Sequence, residues 1–478
     1  MRKWMSILTL LIASACGDNN GVADIDNTPI DPAEGEVEVW VTIPAVNSRL
    51  QSAGKLPIGQ APTHSNVLTI DDEELQPIEG LGAAVTGSSA YVLMTYLSSD
   101  DRTTILEELF GEEGLGFSFI RVTIGASDFS LEDFTYSDLP TGNEDLALSG
   151  FSIDMEREHL IPVLKEILEI NPDIKVMASP WSAPAWMKDS GQLGGGQLLE
   201  KYFDVYARYL AKYIKEMEVE GISIKYISVQ NEPLHESAYP TMYMSAEDQR
   251  RFIGGYLGPE LQSEGLDTRI LAYDHNWDRP DYPMMILEDD ATATYVYGSA
   301  FHCYDGQVSA MSTVHDAFPD KALYMTECSG GEWSTDFTQN MIWMTRNLLI
   351  GAINNWSRGV LLWNLALDEN HGPTNNGCRN CRGVVTVNSQ SGAVERNEEY
   401  YLLGHLSKFI SDGALRIRTS MSEPNTGLEH VAVKNTDGSR VLLVLNPLNQ
   451  DRDISVSTGS DFFDFKVRAQ SLVTFTWN

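Results

Sequence analysis

The stretch Tyr226–Pro233, "YISVQNEP", runs from apolar and β-branched residues straight into Asn231, Glu232 and Pro233. It reads as a buried strand whose end presents a carboxylate, with a proline that denies further ladder bonding and turns the chain. Comparable runs recur on both sides: "PIEGLGAAV" (77–85), "SFIRVTI" (118–124), "IKVMASP" (174–180), "RILAYDH" (269–275), "YGSAFHCY" (297–304), "ALYMTEC" (322–328) and "GVLLWNLAL" (359–367). Between them lie segments with apolar residues three and four apart, such as "MEREHLIPVLKEILEI" (155–170), "LLEKYFDVYARYLAKYIKEM" (198–217) and "SAEDQRRFIGGYLGPELQ" (245–262). Strands alternating with helices signal a parallel sheet with crossover helices, and eight such units predict an α/β fold, a (β/α)8 TIM barrel over 77–411.

The flanks have another rhythm. "VEVWVTI" (37–43) and "SNVLTI" (65–70) precede the barrel, and "ALRIRTS", "EHVAVKN", "RVLLVLN", "DISVST" and "SLVTFTW" follow between 414 and 477. Short alternating runs separated by Gly, Asn and Asp predict a side β-sandwich over 412–478, which the N-terminal strands of 37–76 are expected to join.

Residues 1–15 carry Arg2 and Lys3, a short apolar run and the small residues Ala13, Ser14 and Ala15. That is the pattern of a secretion signal, too short for a typical spanning helix. Cys16 follows directly, as in a bacterial lipobox, so its lipidation is expected; the alternative is ordinary cleavage near Ala15 beside an incidental cysteine. Residues 16–36 are rich in Asp, Asn, Pro and Gly and read as a flexible tether. The expected location is exported, as a cell-surface or periplasmic lipoprotein or otherwise secreted, with a lipid anchor as the single membrane attachment.

The sequence holds 33 basic and 68 acidic residues, a net charge of −35. Such a surface repels phosphate backbones and anionic lipids, which excludes nucleic acid as a partner and favours a neutral substrate. Of the five cysteines, Cys378 and Cys381 sit in the polar stretch "NNGCRNCRG" and are a disulfide candidate in an exported protein. A zinc site would need Cys303 and Cys328 as its other half, and these lack ligand spacing.

In a barrel of this kind chemistry gathers at the C-terminal ends of the strands. Glu232 is expected at the end of the fourth strand. Glu327 is expected at the end of the seventh, where the glycines of "ECSGG" let the backbone turn away. Two such carboxylates can serve as acid/base and nucleophile in glycoside hydrolysis. The same ends carry Trp181, His302, Tyr304 and Trp363, aromatic faces and polar groups suited to a sugar, whereas Trp186 reads as core. Arg121 and Asp128 would be costly in a barrel unless bonded to ligand or joined in a structural ion pair. His302 lacks partners at metal-ligand spacing.

Taken together, "IEGLGAAVTGSSA", "GLGFSFIRVTIGASDFS", "MASPWSAPAWMK", "VQNEP", "AFHCY", "MTECSGG", "LWNLALDENHGP" and "LGHLSKFI", in that order, resemble glycoside hydrolase family 30, the group of glucosylceramidases and endo-1,6-β-glucanases. The resemblance implies a barrel fused to a side β-sandwich, Glu232 as acid/base, Glu327 as nucleophile and Asn231 as a contact to the sugar 2-hydroxyl. It implies that Tyr304 stands beside the nucleophile and that Arg121, Asp128, Trp181, His302, Trp363 and Asn380 line the sugar pocket. Chemically, Glu232 is expected to be protonated at rest, with a raised pKa, and Glu327 ionised. No cofactor is expected, because side chains alone perform both proton transfers and the covalent step. The cysteine pair resembles the microbial 1,6-glucanase branch, so the expected activity is a retaining endo-1,6-β-glucanase. The alternatives are a glucosylceramidase, a hydrolase of small β-glucosides or β-xylosides, and a non-catalytic carbohydrate-binding surface lipoprotein.

Overall fold

In the computed structural model, which describes residues 36–422 and 426–478, each of the eight quoted runs overlaps one strand of a closed parallel barrel. These are β1 (Gly80–Ala83), β2 (Phe119–Ile124), β3 (Lys175–Pro180), β4 (Ile224–Ser228), β5 (Arg269–Asn276), β6 (Val296–His302), β7 (Ala322–Glu327) and β8 (Ser357–Leu362). Neighbours pair in chain order and β8 pairs with β1. The seam between β1 and β2 is closed by Ser118 N–H donating to Leu81 O at 3.1 Å and Val85 N–H to Arg121 O at 2.8 Å. The expected secretion signal, Cys16 and nearly all of the tether lie outside the described residues.

Side chains alternate along a strand, so every second residue enters the barrel. The lower layer is apolar: Phe119, Met177, Tyr226, Leu271, Ala300 and Tyr324 are buried together. One step up, the same alternation delivers Arg121, Ser179, Ser228 and His302, a polar layer without access to water. Toward the mouth, Trp181, one further step along β3, and Trp363, one step after Leu361 of the lower layer, form a small aromatic cluster.

Several pairings in the barrel shift register, and two of these shifts shape the interior at the site. The pairing of β5 with β6 shifts between Tyr273 and His275, and Tyr273 and Asp274 both have left-handed backbones, with φ of 75° and 66°. Such a bulge re-aims a side chain, and here it turns Asp274 into the polar layer in place of Tyr273. The pairing of β6 with β7 shifts between Met325 and Glu327, so Thr326 and Glu327 both reach the interior.

The flanking strands form one nine-stranded sheet, the β-sandwich element of the molecule. Its order is Ser48–Leu56, Val37–Ile43, Ser471–Trp477, Arg440–Asn446, Glu429–Lys434, Leu415–Met421, Val67–Pro77, Arg452–Ser457 and Phe462–Val467. N-terminal and C-terminal strands therefore interleave around a core that includes Val39, Leu68, Leu442, Val456 and Phe475. A buried histidine ties the sheet to the barrel: His405, on the Glu398–Ser407 helix, lies 2.8 Å from Thr42 Oγ1 through Nε2 and 2.8 Å from Thr474 Oγ1 through Nδ1.

Candidate active site

Strand β4 ends at Ser228, so Glu232 lies four residues beyond the ladder rather than at its end, and Pro233 does not terminate the strand. The segment is held from both sides instead. Asn231 N–H donates to Pro180 O at the end of β3 (2.8 Å), and Glu232 N–H donates to Asp274 O in β5 (3.0 Å). Glu232 itself is left-handed, with φ of 44°. A non-glycine residue in that region costs energy and persists because its neighbours fix it, a condition common at functional sites.

The Glu232 and Glu327 carboxylates face one another, each offering an oxygen within 4.8 Å of the other's and of a His302 nitrogen. Both line a cleft of about 410 Å³ with Asp128, Trp181, Asn231 and Trp363. The two tryptophans stack with ring centroids 5.2 Å apart.

Glu327 Oε2 accepts from Arg121 Nη1 at 2.5 Å, and its Oε1 accepts from the Tyr304 hydroxyl at 2.9 Å. Burial raises the Glu327 carboxyl above its ordinary value, while the charges of His302 and Arg121 pull it back. With a donor on each oxygen, the carboxylate is the form this geometry holds. Arg121 has no contact with solvent. Its Nε donates to Ser179 at 3.1 Å and its Nη2 to Asn231 Oδ1 (2.7 Å) and Asp274 Oδ2 (2.8 Å). Asn231 thus spends its oxygen on Arg121, which leaves Nδ2 as its donor toward a ligand.

His302 is also fully enclosed, with Nδ1 3.0 Å from Glu232 Oε1 and Nε2 3.0 Å from Asp274 Oδ1. Burial alone would lower its pKa, but the charge of Glu327 and the bonds to Asp274 and Glu232 raise it to about 9. Burial pushes Glu232 up, and the His302 bond and charge outweigh it, bringing the carboxyl down to about 2. That direction is opposite to the raised pKa expected for Glu232 from its role alone. Glu232 and His302 share a 3.0 Å hydrogen bond and titrate as a pair.

Asp128 behaves differently. Among the described residues its carboxylate has no side-chain partner, and burial together with the charges of Glu327 and Glu232 raises its pKa well above the usual range. Arg121 is the structural ion pair considered above, and Asp128 is a polar group facing the cleft. Arg121 and His302 lie beneath the cleft rather than along its wall, because their enclosed side chains meet protein groups on every polar edge. Asn380 is exposed and outside the cleft lining; its carbonyl accepts Glu332 N–H at 2.9 Å. Its neighbours Cys378 and Cys381 line the cleft and are joined as a disulfide. Trp186 packs on Tyr202 and donates to Ser137 O at 2.8 Å, a core role.

Cys303 and Cys328 also form a disulfide, which removes them from any zinc site. Each directly follows a site residue, His302 and Glu327, at the ends of adjacent strands. The glycines after Glu327 do not turn the chain. Gly330–Gly331 pairs antiparallel with Cys381–Arg382, and a Cβ on Gly331 would stand 2.1 Å from the Trp333 ring and 2.5 Å from Asn380 O. Glycine is needed there for close approach.

Glu232, His302 and Glu327 are also close enough to share a cation. Both His302 nitrogens already face carboxylates, which makes the ring a proton donor on each side rather than a ligand. Sequence reasoning passed over Asp274, His235, Tyr239, His275, Asn276 and Trp333. The lone acid within the apolar run "RILAYDH" was the available signal for Asp274.

Two family models match the chain: the glycosyl hydrolase family 30 TIM-barrel domain over residues 78–410 and the glycosyl hydrolase family 30 beta sandwich domain over 413–475. An endo-1,6-beta-D-glucanase of Neurospora crassa is 36% identical over 427 residues, covering 85% of this chain and 87% of that protein. The lysosomal acid glucosylceramidase of Mus musculus is 30% identical over 441 residues, covering 86% and 83%. A solved structure described as an endo-beta1,6-glucanase superimposes with a TM-score of 0.85 at 34% identity, covering 93% of this chain and 99% of that one.

Proposed function

The chain belongs to glycoside hydrolase family 30 and is a retaining glycoside hydrolase, and from that premise we propose that it cleaves β-1,6-linked glucan internally, with Glu327 as nucleophile and Glu232 as acid/base. The observation that carries the residue roles is the approach of the two carboxylates to within 4.8 Å. A retaining mechanism uses a separation of about 5–5.5 Å, and an inverting one needs about 6.5–9.5 Å to admit a water. The similarity to endo-1,6-β-glucanases, and the cysteine-bridged loop beside the cleft, support the substrate.

In this reading the sugar sits on the Trp181–Trp363 pair, with Asp128 hydrogen-bonded to a hydroxyl and Asn231 Nδ2 meeting the 2-hydroxyl. Glu327 attacks the anomeric carbon as the departing oxygen takes a proton from Glu232. His302 supplies that proton across its 3.0 Å bond to Glu232. Water, deprotonated by Glu232, then hydrolyses the glycosyl ester on Glu327.

The test is incubation with β-1,6-glucan, glucosylceramide and an aryl β-glucoside, followed by separation of products by length. Short oligosaccharides from the glucan are expected, with Glu327→Gln and Glu232→Gln each reducing turnover by at least about a hundredfold. Unchanged turnover in either variant overturns the residue roles. Glucose from the lipid or aryl glucoside alone, with polymer untouched, keeps the two-carboxylate chemistry and moves the substrate to the glucosylceramidase side.

We also propose export with a lipid on Cys16, supported by the small residues that precede it. Mass spectrometry of the mature N-terminus should find an acylated Cys16, and an unmodified end near that residue would replace the anchor with simple secretion.

A further inference from the structure

A second cavity, of about 490 Å³, adjoins the catalytic cleft and shares Tyr304, Ser329 and Trp333 with it. From there it runs along the Phe337–Met344 helix past Gln339, Asn340 and Trp343. We propose that this groove binds the glucosyl residues of the glucan on the leaving-group side of the scissile bond, with Trp333 and Trp343 as stacking platforms. The inference rests on the β-1,6-glucanase reading and adds to it a subsite and its residues.

Three observations carry it. Tyr304, Trp333 and Trp343 are 45%, 55% and 43% exposed, so three large aromatic side chains stand open to solvent along one continuous path. Exposed aromatics in a row are costly to leave in water and suit the C–H faces of sugar rings. Trp333 is held in place by the bare backbone of Gly331, against which its ring lies.

The second observation is polar. Asn340 lines the groove at 6% exposure, and its Nδ2 has no hydrogen-bond partner among the described residues. A buried amide left in that state is a donor awaiting an acceptor. The groove's one charged residue, Arg346, is already neutralised by Glu429 at 2.7 Å. The lining therefore suits an uncharged, hydroxyl-rich ligand.

The third is direction. Asp128, Trp181 and Trp363 come from the segment after β2 and the ends of β3 and β8, on one arc of the barrel mouth. Glu232 follows β4 and Glu327 ends β7. The groove opens at the ends of β6 and β7, across the carboxylate pair from the tryptophan floor, which is where a sugar chain departing from that floor would emerge.

The experiment uses β-1,6-linked gluco-oligosaccharides of three to six units, labelled at the reducing end, beside an aryl β-glucoside and glucosylceramide, with wild type, Trp343→Ala and Trp343→Phe. For wild type, kcat/KM should rise with length, and labelled products should retain two or more units. Trp343→Ala should lose about tenfold in kcat/KM on the hexamer, more than on an aryl β-glucoside, and should begin to release labelled glucose; Trp343→Phe should restore the wild-type pattern. An equal effect on hexamer and aryl glucoside, or an unchanged product pattern, overturns the groove while leaving the glucanase reading intact. A loss confined to glucosylceramide overturns it in favour of a lipid tail as occupant. Wild type that cleaves the aryl glucoside but no β-1,6-oligosaccharide defeats the parent reading, and the subsite with it.

Discussion

Arg121 Nη2 and Asp274 Oδ2 meet at 2.8 Å inside the barrel, with both side chains wholly cut off from solvent. A buried pair of this kind contributes little net stability, but removing one member strands the other charge. Here Arg121 also faces Glu327, so Arg121→Met would strip the guanidinium from two buried carboxylates at once and leave His302 as the cation between them. The expected loss is about 3–5 kcal/mol of unfolding free energy, measured by denaturant titration. Arg121→Lys should fold but lose about a hundredfold in kcat, because one ammonium cannot serve Ser179, Asn231, Asp274 and Glu327 together. A lysine variant with wild-type kcat would mean that the planar fork does not position the nucleophile.

The His302–Glu232 pair makes a prediction about pH. With His302 raised to about 9 and Glu232 lowered to about 2, the pair holds one proton across the whole interval. The alkaline limb of kcat/KM should therefore follow loss of that shared proton, near pH 9, rather than a carboxyl titration. The stability sign agrees: a histidine whose folded pKa is raised contributes fully below about pH 6.5 and loses that contribution as pH rises through 9. His302→Asn should move the alkaline limb toward neutrality and flatten the stability profile between pH 6.5 and 9. A limb that stays in place in the variant would assign it to another group.

The Cys303–Cys328 disulfide joins the ends of β6 and β7 directly beside His302 and Glu327. Its cysteines are 25 residues apart in sequence, and closing a loop of that size stabilises by about 3 kcal/mol on the chain-entropy estimate. Replacing both by serine should lower the unfolding free energy by roughly that amount. It should also reduce kcat more than it raises KM, since the bridge fixes strand ends that hold the reacting groups. A Tm unchanged from wild type would show the bridge to be dispensable.

What the sequence reveals and conceals follows from the physics of alternation. "SFIRVTI" and "IKVMASP" are regular strands, so their period of two places Phe119 and Arg121, or Met177 and Ser179, in successive layers without further information. "RILAYDH" is not regular, and the same rule points Tyr273 inward; the bulge that substitutes Asp274 depends on pairing with β6, which no local pattern encodes. Glu232 is visible as a carboxylate near a strand end, but its clamp between Pro180 O and Asp274 O is tertiary. The neighbour that pulls its pKa down, His302, is 70 residues away in sequence. The Cys303–Cys328 pairing is hidden for a related reason: only the adjacency of β6 and β7 brings it about.

His405 bridges barrel and sandwich, and its hydrogen bonds define its tautomer. The Thr474 hydroxyl donates to His405 O at 2.7 Å, so its oxygen accepts from His405 Nδ1–H, and Nε2 is left to accept from the Thr42 hydroxyl, whose oxygen already receives Leu50 N–H. Protonating Nε2 would force the Thr42 hydroxyl to turn its hydrogen away from the ring and would place a charge in a buried site. Burial accordingly drives the pKa down to about 3. A histidine depressed in this way contributes fully above about pH 6.5, and the contribution falls as acid is added, by about 1.4 kcal/mol per pH unit until the folded pKa is reached. His405→Gln keeps a polar side chain but cannot titrate. The difference in unfolding free energy between wild type and variant should shrink by about 2 kcal/mol between pH 6.5 and 5. A difference that holds constant across that range would show that His405 carries no linked proton and that the barrel–sandwich junction is indifferent to acid.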